Sequence, residues 1–239
     1  MRIRKLVRWL SVMVLMVAGG AGVSMLRTPA LAQESGAVAI PPPAVEAAKA
    51  AGGTETAVLA GGCFWGMQGV FEHVDGVTRV LAGYAGGDKD TASYPLVGTG
   101  MTGHAESIEI SFDPARISYG KILQVYFSVA HDPTELNRQG PDVGSQYRSA
   151  IFYADPSQHR IAEDYIAQLN RAGAFTKPIV TRVDPLKGFF PAESYHQDFL
   201  IRHPTHPYIV YNDLPKIANL KRLFPALYRS QPVTIGEAE

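Results

Sequence analysis

One cysteine, Cys63, is all that the 239 residues contain. That scarcity excludes an internal disulfide and a four-cysteine zinc site. Surplus charge is missing too, because 22 basic residues balance 22 acidic ones. No basic excess is present to hold nucleic acid. The sequence has no internal repeats. Two further absences concern the N-terminus: no cysteine stands at the junction after Ala32, which excludes a lipoprotein anchor, and no Arg-Arg pair is present, which argues against twin-arginine export.

What is there at the N-terminus reads as an export signal. Arg2, Arg4, Lys5 and Arg8 precede an apolar run from Trp9 to Leu26, and Ala30-Leu31-Ala32 offers small residues for cleavage. Residues 1–32 are expected to be a cleavable signal peptide, with a periplasmic destination if the source is Gram-negative. The alternative is a membrane tether formed by residues 9–26. Removal of the signal takes five of the 22 basic residues and no acidic one, leaving 17 against 22 and a formal charge of −5. In an oxidising compartment cysteines normally come in pairs. A single unpaired thiol there is either reactive or a liability.

Residues 33–54, with Pro41-Pro42-Pro43 and Gly52-Gly53, are expected to be a flexible linker. A folded domain is expected over residues 55–230. Strands are expected at Thr56 to Ala60, Val77 to Tyr84, Ala105 to Phe112, Ser149 to Ala154 and Ile179 to Val183. Helices are expected at Phe64 to His73, at Tyr119 to Ala130 behind Ser118, and at Pro156 to Ala172 behind Asp155. Short helices near Tyr195 to Ile201 and Leu214 to Phe224 complete an irregular tail. Helices interleaved with short antiparallel strands predict an α+β two-layer sandwich.

Chemistry concentrates at Gly61-Gly62-Cys63-Phe64-Trp65-Gly66. A lone cysteine is most often a small buried hydrophobe. Here the strand before it and the helix after it put the sulfur at a helix N-terminus, where free N–H groups favour a thiolate. The glycines permit a tight turn and a close approach of substrate. Phe64 and Trp65 can wall a small apolar pocket or simply pack in the core. Glu106 lies on the apolar face of its strand, so its carboxyl must be paired or neutral. Tyr94, Tyr147 and Asp142 are further polar candidates.

The segments Gly-Cys-Phe-Trp-Gly (62–66), Gly-Tyr-Ala-Gly-Gly (83–87), Thr-Gly-His-Ala-Glu (102–106), His-Asp-Pro (131–133), Gln-Tyr-Arg-Ser (146–149) and Tyr-His-Gln-Asp (195–198) together resemble the A-type peptide-methionine sulfoxide reductases. The resemblance covers about Ala57 to His203 and makes residues 55–230 the catalytic domain. It implies a ferredoxin-like mixed sheet with helices packed on it. It also implies roles for the candidates. Cys63 would attack the sulfoxide sulfur and become a sulfenic acid. Glu106 would protonate the oxygen, and Tyr94 and Tyr147 would hydrogen-bond it. Phe64 and Trp65 would hold the S-methyl group, and Asp142 would orient the polar end. The implied substrates are S-epimer methionine sulfoxide, free or in oxidised exported proteins. No metal and no organic cofactor are implied, and a monomer is expected.

The chain departs from a common family pattern after Pro204, where it has no recycling cysteine. Regeneration is therefore expected to come from an external, thioredoxin-like thiol. Rival readings are a cysteine hydrolase using His104, His131 or His196, a thiol peroxidase using Arg148, and a binding domain for oxidised peptides. A metal site at His196, His203 and His206 lacks a carboxylate partner.

Overall fold

The computed structural model describes residues 36–46 and 52–235. The expected signal peptide and the alternative tether lie outside the described residues. Among the described residues no helix is long and apolar enough to cross a membrane.

Among the described residues eight strands and six α-helices follow in order: β1 (Glu55–Ala60), α1 (Phe64–Glu72), β2 (Val77–Ala85), α2 (Tyr94–Val97), β3 (Ala105–Phe112), α3 (Tyr119–Val125), β4 (Arg138–Gln139), β5 (Asp142–Val143), β6 (Ala150–Tyr153), α4 (Pro156–Ala172), β7 (Arg182–Pro185), β8 (Phe189–Pro191), α5 (Phe199–Arg202) and α6 (Leu214–Leu223). One six-stranded sheet has the order β7-β6-β1-β3-β2-β8, and β4 pairs with β5 apart from it. All neighbours in the large sheet are antiparallel except β6 and β7. The fold is α+β, a mixed sheet with helices packed on it.

Alternation along the strands divides the core. Ala57 and Leu59 of β1, with Ile108 and Ile110 of β3, face the cluster shared with α1, α3 and α4. Val58 and Ala60 point the other way, toward Ala85, Ala105, Ala150 and Phe152, which Leu186 and Phe189 cover. Both sheet faces are therefore buried. Capping follows the sequence: Ser118 accepts from the Lys121 N–H at 3.1 Å, and Asp155 accepts from Ser157 and Gln158 at 2.7 and 3.0 Å. Gly173, at φ +59°, ends α4 in the left-handed region.

Four expectations are corrected. Residues 36–46 are docked, although their composition suggested a mobile linker. Val38 N–H donates to the Ser128 carbonyl, Gln124 to Ile40, Tyr165 to Pro41 and Gln168 to Pro42. Pro43 and Glu46 fill the space left by Gly120, where a Cβ would stand 2.7 and 2.5 Å from their atoms. The strand expected at Ile179 to Val183 forms at Arg182–Pro185, because the Ile179 N–H goes to Asn170 and the Val180 N–H to Pro133. The helix expected over Tyr195 to Ile201 is broken. Asp198 sits at φ +53° between a 3-10 turn at Ser194–His196 and α5. The helix expected to run to Ala130 ends its α form at Val125 and continues as a π turn, Tyr126–Ala130.

Candidate active site

Cys63 is the N-cap of α1, directly after the Gly61-Gly62 turn that leaves β1. Gly62 has φ +89°, a conformation an L side chain resists. The close approach that these glycines permit is to the protein itself. A Cβ on Gly61 would stand 2.8 Å from the His131 ring, and one on Gly62 would stand 2.6 Å from Gln139.

β3 lies beside β1, and Leu59 pairs with Ile108, so Glu106 arrives just beyond the end of β1. Its side chain is 4% exposed, and Oε2 accepts the Phe64 N–H at 3.1 Å. The first free N–H of α1 is thus spent on Glu106. Burial pushes this carboxyl up to about 8; the Phe64 N–H opposes the rise and Asp142 adds to it. A neutral acid therefore stands beside the thiol at neutral pH.

The thiol itself departs from expectation. Burial, then the Glu106 and Asp213 carboxyls, push Cys63 well above the ordinary thiol value. The Trp65 N–H and Lys216 pull the other way without prevailing. The helix terminus is present, but desolvation and two acids outweigh it. The resting sulfur is a thiol.

Both tyrosines join the site. Tyr147 ends a 3-10 turn at Ser145–Tyr147, and Tyr94 opens α2. Burial raises each phenol, and each feels the charges of Glu106, Asp142 and Cys63. Asp142, on β5, accepts a short hydrogen bond from the Tyr208 hydroxyl. The Trp65 ring stacks on Phe199 with centroids 3.7 Å apart, and its indole N–H donates to His196 Nδ1 at 3.2 Å. Phe64 is buried, 5.0 Å from the His196 ring and 5.9 Å from Tyr84. Its ring belongs as much to the core as to a pocket wall.

The rival chemistries find less support. His104 bonds the Gly87 N–H and the Asp88 carbonyl. His131 bonds the Tyr126 carbonyl and Ser149, and burial drives it down to about 3. His196 faces Trp65. None of the three hydrogen-bonds the thiol. Arg148 donates to the carbonyls of Gly103, His104 and Ser145, while the cation acting on Cys63 is Lys216. Among the described residues no group of three or more His, Cys, Asp or Glu side chains is arranged to hold a metal ion. His206 instead packs edge-on against Trp65 and Phe199.

Sequence reasoning missed four residues here. Glu193 accepts the Tyr84 hydroxyl at 2.8 Å and the Tyr94 N–H at 2.9 Å, which fixes the start of α2. Tyr208, Asp213 and Lys216 come from the tail and reach Cys63 electrostatically. Only the run from His206 to Asp213 offered a signal, and it lacks the cysteines that would draw the eye. On the tail side Cys63 opens on a cavity of about 330 Å³, also lined by His131, Gln139, Tyr208, Tyr211, Asn212 and Lys216.

Comparison with known proteins agrees with this geometry. The family model described as peptide methionine sulfoxide reductase matches residues 55–226. A relative from Mesorhizobium japonicum, peptide methionine sulfoxide reductase MsrA 2, is 63% identical over 190 residues, which are 80% of this chain and 97% of that protein. One of the same name from Synechocystis is 50% identical over 80% of this chain and 91% of its own length. Among solved structures, methionine sulfoxide reductase A of Corynebacterium diphtheriae is 36% identical with a TM-score of 0.56, covering 64% of this chain and 77% of that one. Reduced Mxr1 from Saccharomyces cerevisiae gives 31% identity and a TM-score of 0.57, over 64% of this chain and 87% of its own. A buried neutral acid bonded beside a lone thiol, on a fold shared with these enzymes, shows that the chain belongs to the A-type peptide methionine sulfoxide reductases, a family of oxidoreductases.

Proposed function

We propose that the chain reduces the S epimer of methionine sulfoxide, free or within proteins, through a Cys63 sulfenic acid, and that an external thiol then restores it. The carrying observation is the 3.1 Å hydrogen bond from the Phe64 N–H to Glu106, which holds a buried carboxyl next to the nucleophile's helix cap. The sulfur of Cys63 attacks the sulfoxide sulfur while neutral Glu106 gives its proton to the oxygen. The thiol proton passes to Glu106. Oxygen then leaves on Cys63 as the sulfenic hydroxyl, and methionine departs. Cys63 is oxidised and the substrate sulfur reduced, with no proton gained or lost overall.

Negative charge grows on the oxygen as the sulfur attacks, so donors fixed beforehand act most strongly in the transition state. Tyr94 and Tyr147 are the phenols assigned to that oxygen. Phe64 and Trp65 bound the methyl group, and Asp142 fixes Tyr208 at the polar rim. The reductant is a thiol of the thioredoxin-like kind, since the tail supplies no second cysteine. Export, by the signal read in residues 1–32, would make oxidised exported proteins the substrates and repair the role. A monomer is the working state.

The test is a single turnover without reductant on the separated sulfoxide epimers. The expected result is one methionine per chain from the S epimer and a dimedone-reactive Cys63 in a monomer. Methionine from the R epimer alone, or a quantitative disulfide dimer, overturns the reading. N-terminal sequencing of the exported protein checks the signal: a chain beginning at Gln33 is expected, and one beginning at Met1 points to a tether.

A further inference from the structure

The tail places a charged pair at the nucleophile that the sulfoxide half-reaction does not use. Asp213 is fully buried, and its Oδ1 lies 3.1 Å from Lys216 Nζ. Its other oxygen, Oδ2, is buried without a hydrogen-bond partner. The pair occupies a slot cut into the first turns of α1. A Cβ on Gly66 would stand 2.0 Å from Asp213 Oδ1 and 2.8 Å from Lys216 Nζ. Lys216 lines the cavity that Cys63 opens on, and its side chain is 24% exposed there.

The pair is therefore polarised across the site. Its acid end is buried behind Lys216, against α1, where it pushes the sulfur of position 63 toward its protonated form more than Lys216 does the reverse. Its cationic end faces the cavity. Recycling a sulfenic acid requires that asymmetry. The attacking sulfur must be a thiolate, and a free thiol near pKa 8.5 is mostly protonated at neutral pH. The sulfenic hydroxyl must stay un-ionised to leave as water. Carboxyls beside Cys63 and an ammonium in the cavity meet both needs.

We propose that the cavity seats the reducing thiol and that Lys216, positioned by Asp213, stabilises its thiolate for attack on the Cys63 sulfenic acid. This rests on the single-cysteine mechanism above and assigns its second half. In the first step the S–H bond of the thiol and the S–O bond at Cys63 break. An S–S bond and water form, the thiol's proton leaving with the hydroxyl. The thiol sulfur is oxidised and Cys63 reduced. A second thiol attacks the mixed disulfide, releasing an oxidised disulfide and the Cys63 thiol. The charged and titratable groups around Lys216 are Asp213, Cys63, His131, Asp132, Glu135, Tyr208 and Tyr211, with Asp142 behind Tyr208 and acting on Asp213. Glu135 is paired with Arg138 at 3.3 Å, and His131 is neutral. The Lys216 ammonium is thus the cation nearest the incoming sulfur.

The test uses the full chain, loaded as the sulfenic acid by one turnover of methionine sulfoxide and then mixed with 2-mercaptoethanol. The first-order rate constant at saturating 2-mercaptoethanol, which reports groups in the bound complex, is followed against pH. In the wild type the alkaline rise should fall on the order of one pH unit below the thiol's own pKa. Lys216→Met should move the rise back up and slow the reaction roughly tenfold at pH 7. Lys216→Arg should restore most of the rate. Asp213→Asn, which frees Lys216, should lie between. An unchanged constant and profile in Lys216→Met, or no recovery with arginine, overturns the proposal. If Lys216→Met does not fold, the wild-type profile alone decides: a rise at the free thiol's pKa is the overturning result. Absence of the initial methionine burst in the wild type would instead defeat the function proposed above.

Discussion

The main-chain N–H of Phe64 and the Glu106 carboxyl oxygen Oε2 lie 3.1 Å apart, tying the residue after the nucleophile to the acid. The carboxyl is held up at about 8, chiefly by burial, so it carries its proton at neutral pH and loses it above pH 8. The rate of methionine release in a single turnover should therefore fall as pH rises through about 8. Glu106→Gln should remove that limb and slow the step by about 10²–10⁴-fold, the usual contribution of a positioned acid. Quenched-flow measurement of methionine across pH 6–10 checks both, and a step that keeps its rate in Glu106→Gln denies the carboxyl its role.

A second acid tests stability rather than chemistry. Glu72, on α1, is fully buried and pushed from its ordinary 4.5 up to about 9, by burial first and then by the Asp198 charge. Below pH 4.5 the folded and unfolded chains both hold this proton. Between 4.5 and 9 only the unfolded chain releases it, so stability falls as pH rises, with a slope approaching ~1.4 kcal/mol per pH unit from this group. Glu72→Gln should flatten that slope and melt higher than wild type at pH 8. The gap should narrow at pH 5. Thermal melts at the two pH values give the answer.

The slot at Gly66 makes a packing prediction. Alanine normally favours a helix over glycine by about 1 kcal/mol. Here the added methyl would meet the Asp213 carboxylate at 2.0 Å. Gly66→Ala should therefore destabilise, by about 1–3 kcal/mol as overpacking does. Gly140 at φ +53°, with open space around it, is a strained but uncrowded control. Chemical denaturation of the two alanine variants separates crowding from backbone strain.

The aromatic wall makes a selectivity prediction. A pocket discriminates one methylene by on the order of 10–200-fold. Methionine sulfoxide should therefore be preferred over its S-ethyl analogue by at least tenfold. Trp65→Ala removes the 3.7 Å stack on Phe199 and the hydrogen bond to His196, so the preference should shrink while the S-methyl substrate binds more weakly. Competing kcat/KM values for the two sulfoxides report it.

Much of the site was legible because it is local or strand-borne. Alternation in Ala105 to Phe112 told which face Glu106 occupies, and glycines before Cys63 told where the helix begins. The state of the thiol was not legible. The helix terminus is visible in the chain, while the desolvation and the Glu106 and Asp213 charges that overrule it arise only when distant segments pack around Cys63. Asp213 and Lys216 stand some 150 positions from Cys63, and no periodicity links them. Residues 36–46 misled because proline and alanine look mobile in isolation. What holds them is carbonyl groups bonded by Gln124, Tyr165 and Gln168 from distant helices. Asp198 breaks its helix because its backbone turns left-handed, which its sequence neighbours did not announce.

The docked stretch ahead of β1 also has a practical bearing. Gly36 borders the same cavity as Cys63 and Lys216. A purification handle or fusion partner joined immediately upstream of it would sit beside the cavity proposed to seat the reductant. Turnover numbers from such fusions would report the obstruction as much as the enzyme, so any handle belongs at the opposite terminus.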